Sequence, residues 1–180
     1  MKEISLHILD IMQNSIAADA TLVELFINEK ESDDVFEFYI KDNGRGMDKE
    51  FLENVTSPFT TKRTTRKVGL GIPLLKLAAE NTGGGIKIES EPGVGTKIDA
   101  FFSYSSIDRM PLGNIVETVF SLVTSYIDID FLYTHRVDDK EFVLDTRQMR
   151  EILQGVPFNE PDVSAWILGY LKEGEAELYL

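Results

Sequence analysis

The sequence predicts an α/β protein in which helices cover a β-sheet, followed by a second and smaller α/β unit. Two observations carry this. Apolar residues recur at the helical spacing in some segments and alternate with a period of two in others, and the two kinds of segment follow one another along the chain. After about Tyr104 the texture changes to a more acidic stretch with its own helices and hairpin. The expected division is residues 1–105 and residues 108–180.

The elements follow in order. Ile4, Ile8, Ile11, Met12 and Ile16 place an apolar stripe on a helix over 4–18. TLVELFIN (21–28) and VFEFYIK (35–41) are β-branched and aromatic, and the polar EKESDD between them predicts a hairpin. DNGRGMD is a glycine-punctuated loop, and DKEFLENV (48–55) a short helix with Asp48 as its N-cap. A lid-like stretch over 56–68 precedes a helix over 71–82 that stops at Gly83, Gly84 and Gly85. IKIES and TKIDAFF alternate as strands around the turn EPGVG. Beyond them, LGNIVETVFSLVTSY (112–126) is an amphipathic helix, and DIDFLYTHRV with KEFVLDT a hairpin around DDK. RQMREILQG (147–155) is a helix with a glycine cap, and EPDVSAWILGYLKEG a helix opened by Glu160 and Pro161.

Composition narrows the function. The chain has 180 residues, no cysteine and a formal net charge of -13. Disulfides, thiolate metal ligands and a cysteine nucleophile are therefore excluded. The balance is -5 over residues 1–107 (12 basic against 17 acidic) and -8 over 108–180 (6 against 14). Such a field disfavours nucleic acid and anionic membrane as partners. No secretory leader or bilayer-length apolar run is apparent, so a soluble, cytoplasmic protein is expected.

Four small constellations stand out against this background. Asp10 and Asn14 lie one turn apart on one helix face, with His7 on the same side. A carboxylate there can accept a proton from a hydroxyl or a water, and a carboxamide oxygen is a neutral ligand for Mg²⁺. Alone, the pair reads more readily as a solvent-facing polar stripe. Asp42 ends a strand before Gly44 and Gly46, where missing side chains admit a planar ligand. A carboxylate suits an exocyclic amino group such as that of adenine, whereas guanine presents a carbonyl there. Lys62, Arg63, Arg66 and Lys67 crowd before Gly69 and Gly71, which open a helix whose free N–H groups favour an anion. Neither the dinucleotide fingerprint nor the P-loop fits, since Leu74 stands where a third glycine would be and no Gly-Lys-Ser/Thr occurs. Thr96 follows a glycine turn and opens a strand, where its hydroxyl can support a ligand near Asp42.

In this order the parts resemble the Bergerat-fold ATPases, which include DNA gyrase B subunits, Hsp90, sensor histidine kinases, MutL and the anti-sigma serine kinases. The resemblance covers residues 3–104. NSIAADAT is similar to MutL, and PFTTK with GLGIPLLK to the ATP lid of the histidine kinases. It implies a two-layer α/β sandwich, a mixed sheet covered by helices on one face. It further implies that Asn14 holds Mg²⁺ against the phosphates of ATP and that Asp42, helped by Thr96 and a water, binds the adenine amino group. Gly44, Gly46 and Met47 would line the base pocket. Gly69, Leu70, Gly71 and Ile72 would give N–H groups to the phosphates, and Lys62 and Lys67 would meet them from the lid.

Where the histidine kinases commonly carry Asn or His, four residues before the metal-binding Asn, this chain carries Asp10. Gyrase-like ATPases and anti-sigma serine kinases place a Glu there as general base, so Asp10 is the expected catalytic residue, one methylene shorter. With only nine residues before Asp10, a phosphoacceptor helix like that of the histidine kinases is not expected; His7 is expected to be a helix-surface or pocket-rim histidine, and His135 to sit in the FLYTHRV strand. Three readings result: phosphotransfer to a protein partner, or slow ATP hydrolysis; an ATP-gated binding module whose acidic C-terminal unit holds a protein partner; and a MutL-like or gyrase-like ATPase that dimerises on ATP.

Overall fold

In chain order the elements are α1 (Ile4–Ala17), β1 (Leu22–Lys30), a 3₁₀ turn (Glu31–Asp33), β2 (Val35–Asp42), α2 (Lys49–Asn54), α3 (Gly71–Glu80), β3 (Gly85–Glu91), β4 (Gly95–Ser103), α4 (Ile115–Ser125), β5 (Asp130–Val137), β6 (Lys140–Asp145), α5 (Thr146–Leu153) and α6 (Pro161–Glu177). The computed structural model describes residues 2–57 and 70–180. Each helix and strand expected within those residues is present, with ends shifted by one to three residues. Two N-caps are made by the residues the sequence points to, whereas the C-cap of α5 is Gln154, in the left-handed conformation with φ +50°, and not the expected glycine. Asp48 accepts from the N–H of Phe51 at 2.8 Å, and Glu160 accepts from Asp162 and Val163 at 3.0 and 3.1 Å. An N-cap of this kind is worth about 1 kcal/mol.

The strands form one sheet in the order β3-β4-β2-β1-β5-β6. All pairs are antiparallel except β1 with β5, so the sheet is mixed. Alternation decides its two faces. Val23, Leu25 and Ile27 of β1, Phe36, Phe38 and Ile40 of β2, and Phe131 and Tyr133 of β5 are buried, while their neighbours along each strand are only half-buried or exposed. The buried face meets a layer in which α1 contacts α3 and α4, and α4 contacts α6. This is the two-layer sandwich with helices on one face.

The boundary near residues 105–108 does not interrupt this architecture. β5 comes from beyond it, yet pairs with β1 from Leu22–Asp130 to Glu29–Val137. Residues 108–180 thus extend the first sheet by two strands instead of building their own, and apolar side chains from both segments share one core. They also complete α1. Its first N–H groups have no partner within the helix, and those of Ile4 and Ser5 donate to the carbonyls of Pro111 and Leu112 at 3.0 and 2.8 Å.

Candidate functional site

A cleft of about 370 Å³ opens between α1, the end of β2, the loop after it, α2 and the start of α3. Its walls are apolar, with Ile11, Met47, Phe51, Val55, Ile72 and Ile98 prominent, and its polar groups are few: Asn14, Ser15, Asp42, Arg45 and Thr96. This is the composition of a site that takes a flat, largely apolar ring and orients it with a few hydrogen bonds.

Asp42 is the best-held of these groups. It is buried, and both carboxylate oxygens accept hydrogen bonds: Oδ2 from the Ser15 hydroxyl at 2.6 Å, Oδ1 from the Gly44 N–H at 2.9 Å and the Thr96 N–H at 3.3 Å. The Thr96 hydroxyl points elsewhere, 2.7 Å from the hydroxyl of Ser90. Ser90 also accepts from the Met47 N–H at 2.8 Å and lies 3.1 Å from the Gly95 carbonyl. One serine of β3 therefore ties the loop after β2 to the turn that carries Thr96. Thr96 reaches Asp42 through its backbone, and its hydroxyl is shared with Ser90.

The glycines of the loop have a different task from the one their sequence suggests. A Cβ on Gly44 would lie 2.7 Å from the Ala18 carbonyl oxygen, and one on Gly46, where φ is +69°, 2.1 Å from that of Glu91. Close approach is thus to the protein's own backbone. Gly46 and Met47 line the cleft, and Gly44 does not.

Asn14 lies in the cleft wall. Asp10, one turn earlier, is half-buried. Its Oδ2 is buried with no hydrogen-bond partner among the described residues, and burial raises the pKa of its carboxyl. That oxygen lies against the opening of α3, where a Cβ on Gly71 would stand 1.7 Å away. Leu70 is the N-cap of α3, and its side chain makes no capping hydrogen bond. Leu70 is exposed, Gly71 and Ile72 are buried, and only Ile72 reaches the cleft wall. Lys62, Lys67 and Gly69 lie outside the described residues.

Neither histidine is a surface group. His7 is buried on α1 with Nδ1 unpartnered among the described residues, and burial lowers its pKa. His135 is fully buried between two carboxylates, Nε2 lying 3.0 Å from Glu29 and Nδ1 2.8 Å from Glu175. Sequence reasoning passed over Ser15, Ser90 and Arg45. Ser15 directly follows Asn14, which is the one local signal available. Ser90 is set apart only by pairing with Thr96 across the hairpin.

Residues 2–106 match the family model described as histidine kinase-, DNA gyrase B-, and HSP90-like ATPase. The sensor kinase CckA of Brucella abortus is 34% identical over 90 residues, 49% of this chain and 9% of that protein. The sensor protein SrrB of Staphylococcus aureus is 38% identical over 79 residues, 41% of this chain and 13% of that protein. The chain thus spans about a tenth of the length of these relatives. Among solved structures, the Aquifex aeolicus MutL ATPase domain complexed with ADP superposes with a TM-score of 0.50 at 16% identity, covering 86% of this chain and 70% of that one. This likeness shows the fold.

Proposed function

Because the chain belongs to the histidine kinase-, DNA gyrase B- and HSP90-like ATPases, with an ATP-binding domain over residues 2–106, we propose that it is a regulatory protein that uses Mg-ATP for phosphotransfer to a protein partner or for slow hydrolysis. The observation that carries this reading is Asp10. A buried carboxylate oxygen without a hydrogen-bond partner among the described residues, raised in pKa and one turn from Asn14, is suited to accept a proton. A water or a partner's hydroxyl would give that proton to Asp10 as its oxygen bonds to the γ-phosphorus of ATP, while the bond from that phosphorus to the β–γ bridging oxygen breaks and ADP leaves.

The donor set fits the ligand. Asp42 would accept from the adenine amino group while Ser15, Gly44 and Thr96 hold its carboxylate in place. Gly46 and Met47 would flank the base. Leu70, Gly71 and Ile72 would offer N–H groups to the phosphates, and Gly69 (through its N–H), Lys62 and Lys67, which lie outside the described residues, would add to that set. Asn14 would hold Mg²⁺ through its amide oxygen, and the metal would supply charge neutralisation for the phosphates.

The test follows the γ-phosphate of labelled ATP, with and without host extract, beside an Asp10→Asn control. Label moving to another protein in an Asp10-dependent way is the expected result for a kinase, and Asp10-dependent free phosphate for an ATPase. A second reading, an ATP-gated binding module, is favoured by the hydrogen bonds from the start of α1 to Pro111 and Leu112. They join the helix of Asp10 and Asn14 directly to the C-terminal segment. Label left on bound ATP would select that reading.

A further inference from the structure

Trp166, the only tryptophan in the chain, and Tyr170 stack one turn apart on α6, with ring centroids 6.0 Å apart and planes within 19°. They are 47% and 40% exposed. Tyr170 is fixed in place. Its hydroxyl donates to the Val143 carbonyl at 2.9 Å, and its ring lies 5.1 Å from that of Phe142. Gly174 makes room for Phe142, since a Cβ there would stand 2.0 Å from that ring. The pair is a preorganised aromatic platform, which lowers the entropy lost on binding.

Its rim is acidic. Exposed Asp162 lies four residues before Trp166, and exposed Glu173 and Glu177 three and seven after Tyr170, a spacing that sets all five on one helix face. An exposed aromatic centre within a negative rim complements a contact that is apolar at its middle and basic at its edge. Strand addition is obstructed here, because Tyr170 already occupies the Val143 carbonyl of the edge strand β6.

We propose that this face of α6 docks a basic amphipathic helix of a partner protein. Aliphatic side chains would rest on Trp166 and Tyr170, with lysines or arginines against Asp162, Glu173 and Glu177. This rests on the reading of residues 108–180 as the partner-binding segment, and is independent of what the cleft does to ATP.

The test uses the full chain and a leucine–lysine amphipathic peptide of about five helical turns, with a leucine–glutamate peptide of the same pattern as control. Binding is read by the emission of Trp166 and by the anisotropy of labelled peptide. The lysine peptide is expected to shift Trp166 emission to the blue. Binding should weaken roughly tenfold in Trp166→Ala, and again in the combined Asp162→Asn, Glu173→Gln, Glu177→Gln variant, with thermal unfolding of both variants unchanged. Added salt should weaken it as well. Lysine-peptide binding that leaves Trp166 emission unmoved and survives Trp166→Ala overturns this surface but leaves the partner reading of 108–180 standing. Equal binding of the glutamate peptide overturns the charge argument and the proposal with it. Binding of neither peptide overturns both the surface and the partner reading. A blue shift that grows with protein concentration alone shows a second copy in place and also overturns it.

Discussion

Asp42 accepts hydrogen bonds on both oxygens, and this decides what a substitution does. In Asp42→Asn the amide oxygen must face the N–H groups of Gly44 and Thr96, because an NH₂ there would meet donors. The NH₂ then turns toward Ser15 and the cleft, where an adenine amino group is also a donor. One unpaired buried donor costs about 1–3 kcal/mol, so ATP affinity should fall roughly tenfold to a hundredfold and the preference over GTP should vanish. Nucleotide titration checks this, and retained ATP selectivity would mean that adenine is read elsewhere. Ser90 makes a second test. Ser90→Ala leaves the Met47 N–H without its acceptor and the Thr96 hydroxyl without its neighbour. Stability to urea should drop by about 1–2 kcal/mol, with weaker ADP binding, and Ser90→Thr should restore both. Asp42 was legible in the sequence because Asp-x-Gly-x-Gly is a local pattern. Ser90 was not, because its role comes from a loop more than forty residues away, at Met47, and serine is common in turns.

At the scale of elements, β1, β5 and the end of α6 meet in one buried polar cluster. Glu29 of β1, His135 of β5 and Glu175 of α6 join through the imidazole, and Tyr133 and Tyr179 donate to Glu175 and Glu29 at 2.6 and 2.7 Å. Burial alone would lower the pKa of His135, but its hydrogen bonds to Glu175 and Glu29 prevail and raise it from 6.5 to about 9. A raised histidine contributes stability that is fully present below pH 6.5 and lost as pH rises through about 9. The shift corresponds to at most about 3 kcal/mol. For Glu29, burial would raise the pKa, but the bonds from His135 and Tyr179 lower it overall, so its contribution is present above pH 4.5 and lost toward acid. Arg109 adds to that lowering, and both tyrosines are raised, which keeps them protonated in this window. Urea unfolding at pH 6, 7.5 and 9 should show wild-type stability falling with pH. His135→Gln should lose about 3–5 kcal/mol at pH 6, where it strands two buried carboxylates, and should not repeat the fall. A parallel slope in the variant would mean that another group titrates. The strands of this cluster were each legible from alternation, but their pairing was not. β1 and β5 are parallel and lie about a hundred residues apart, and alternation names a buried face without naming the neighbour.

For the whole molecule, the question is whether residues 1–107 can stand without the rest. The sequence drew a boundary there from composition, since the charge density and the pattern of elements both change after Tyr104. Composition reports what a segment is made of, and not which edges it leaves open. Without β5, the full length of β1 from Leu22 to Glu29 becomes an unpaired edge. Without residues 111 and 112, the first N–H groups of α1 lose their acceptors. Without α4, the face of α1 that it covers is bare, and Glu29 loses both His135 and Tyr179 as hydrogen-bond partners. Each of these losses falls on α1 or β1, and α1 carries Asp10, Asn14 and Ser15. The fragment 1–107 should therefore lack a cooperative thermal transition, bind hydrophobic dye and fail to bind ADP, whereas the full chain should unfold in a single step and bind ADP. A cooperative transition in the fragment with ADP binding intact would restore the division drawn from the sequence, and would make the C-terminal strands an appended partner-binding unit. Loss of both would mean that α1, with Asp10, Asn14 and Ser15, needs the C-terminal segment in order to fold.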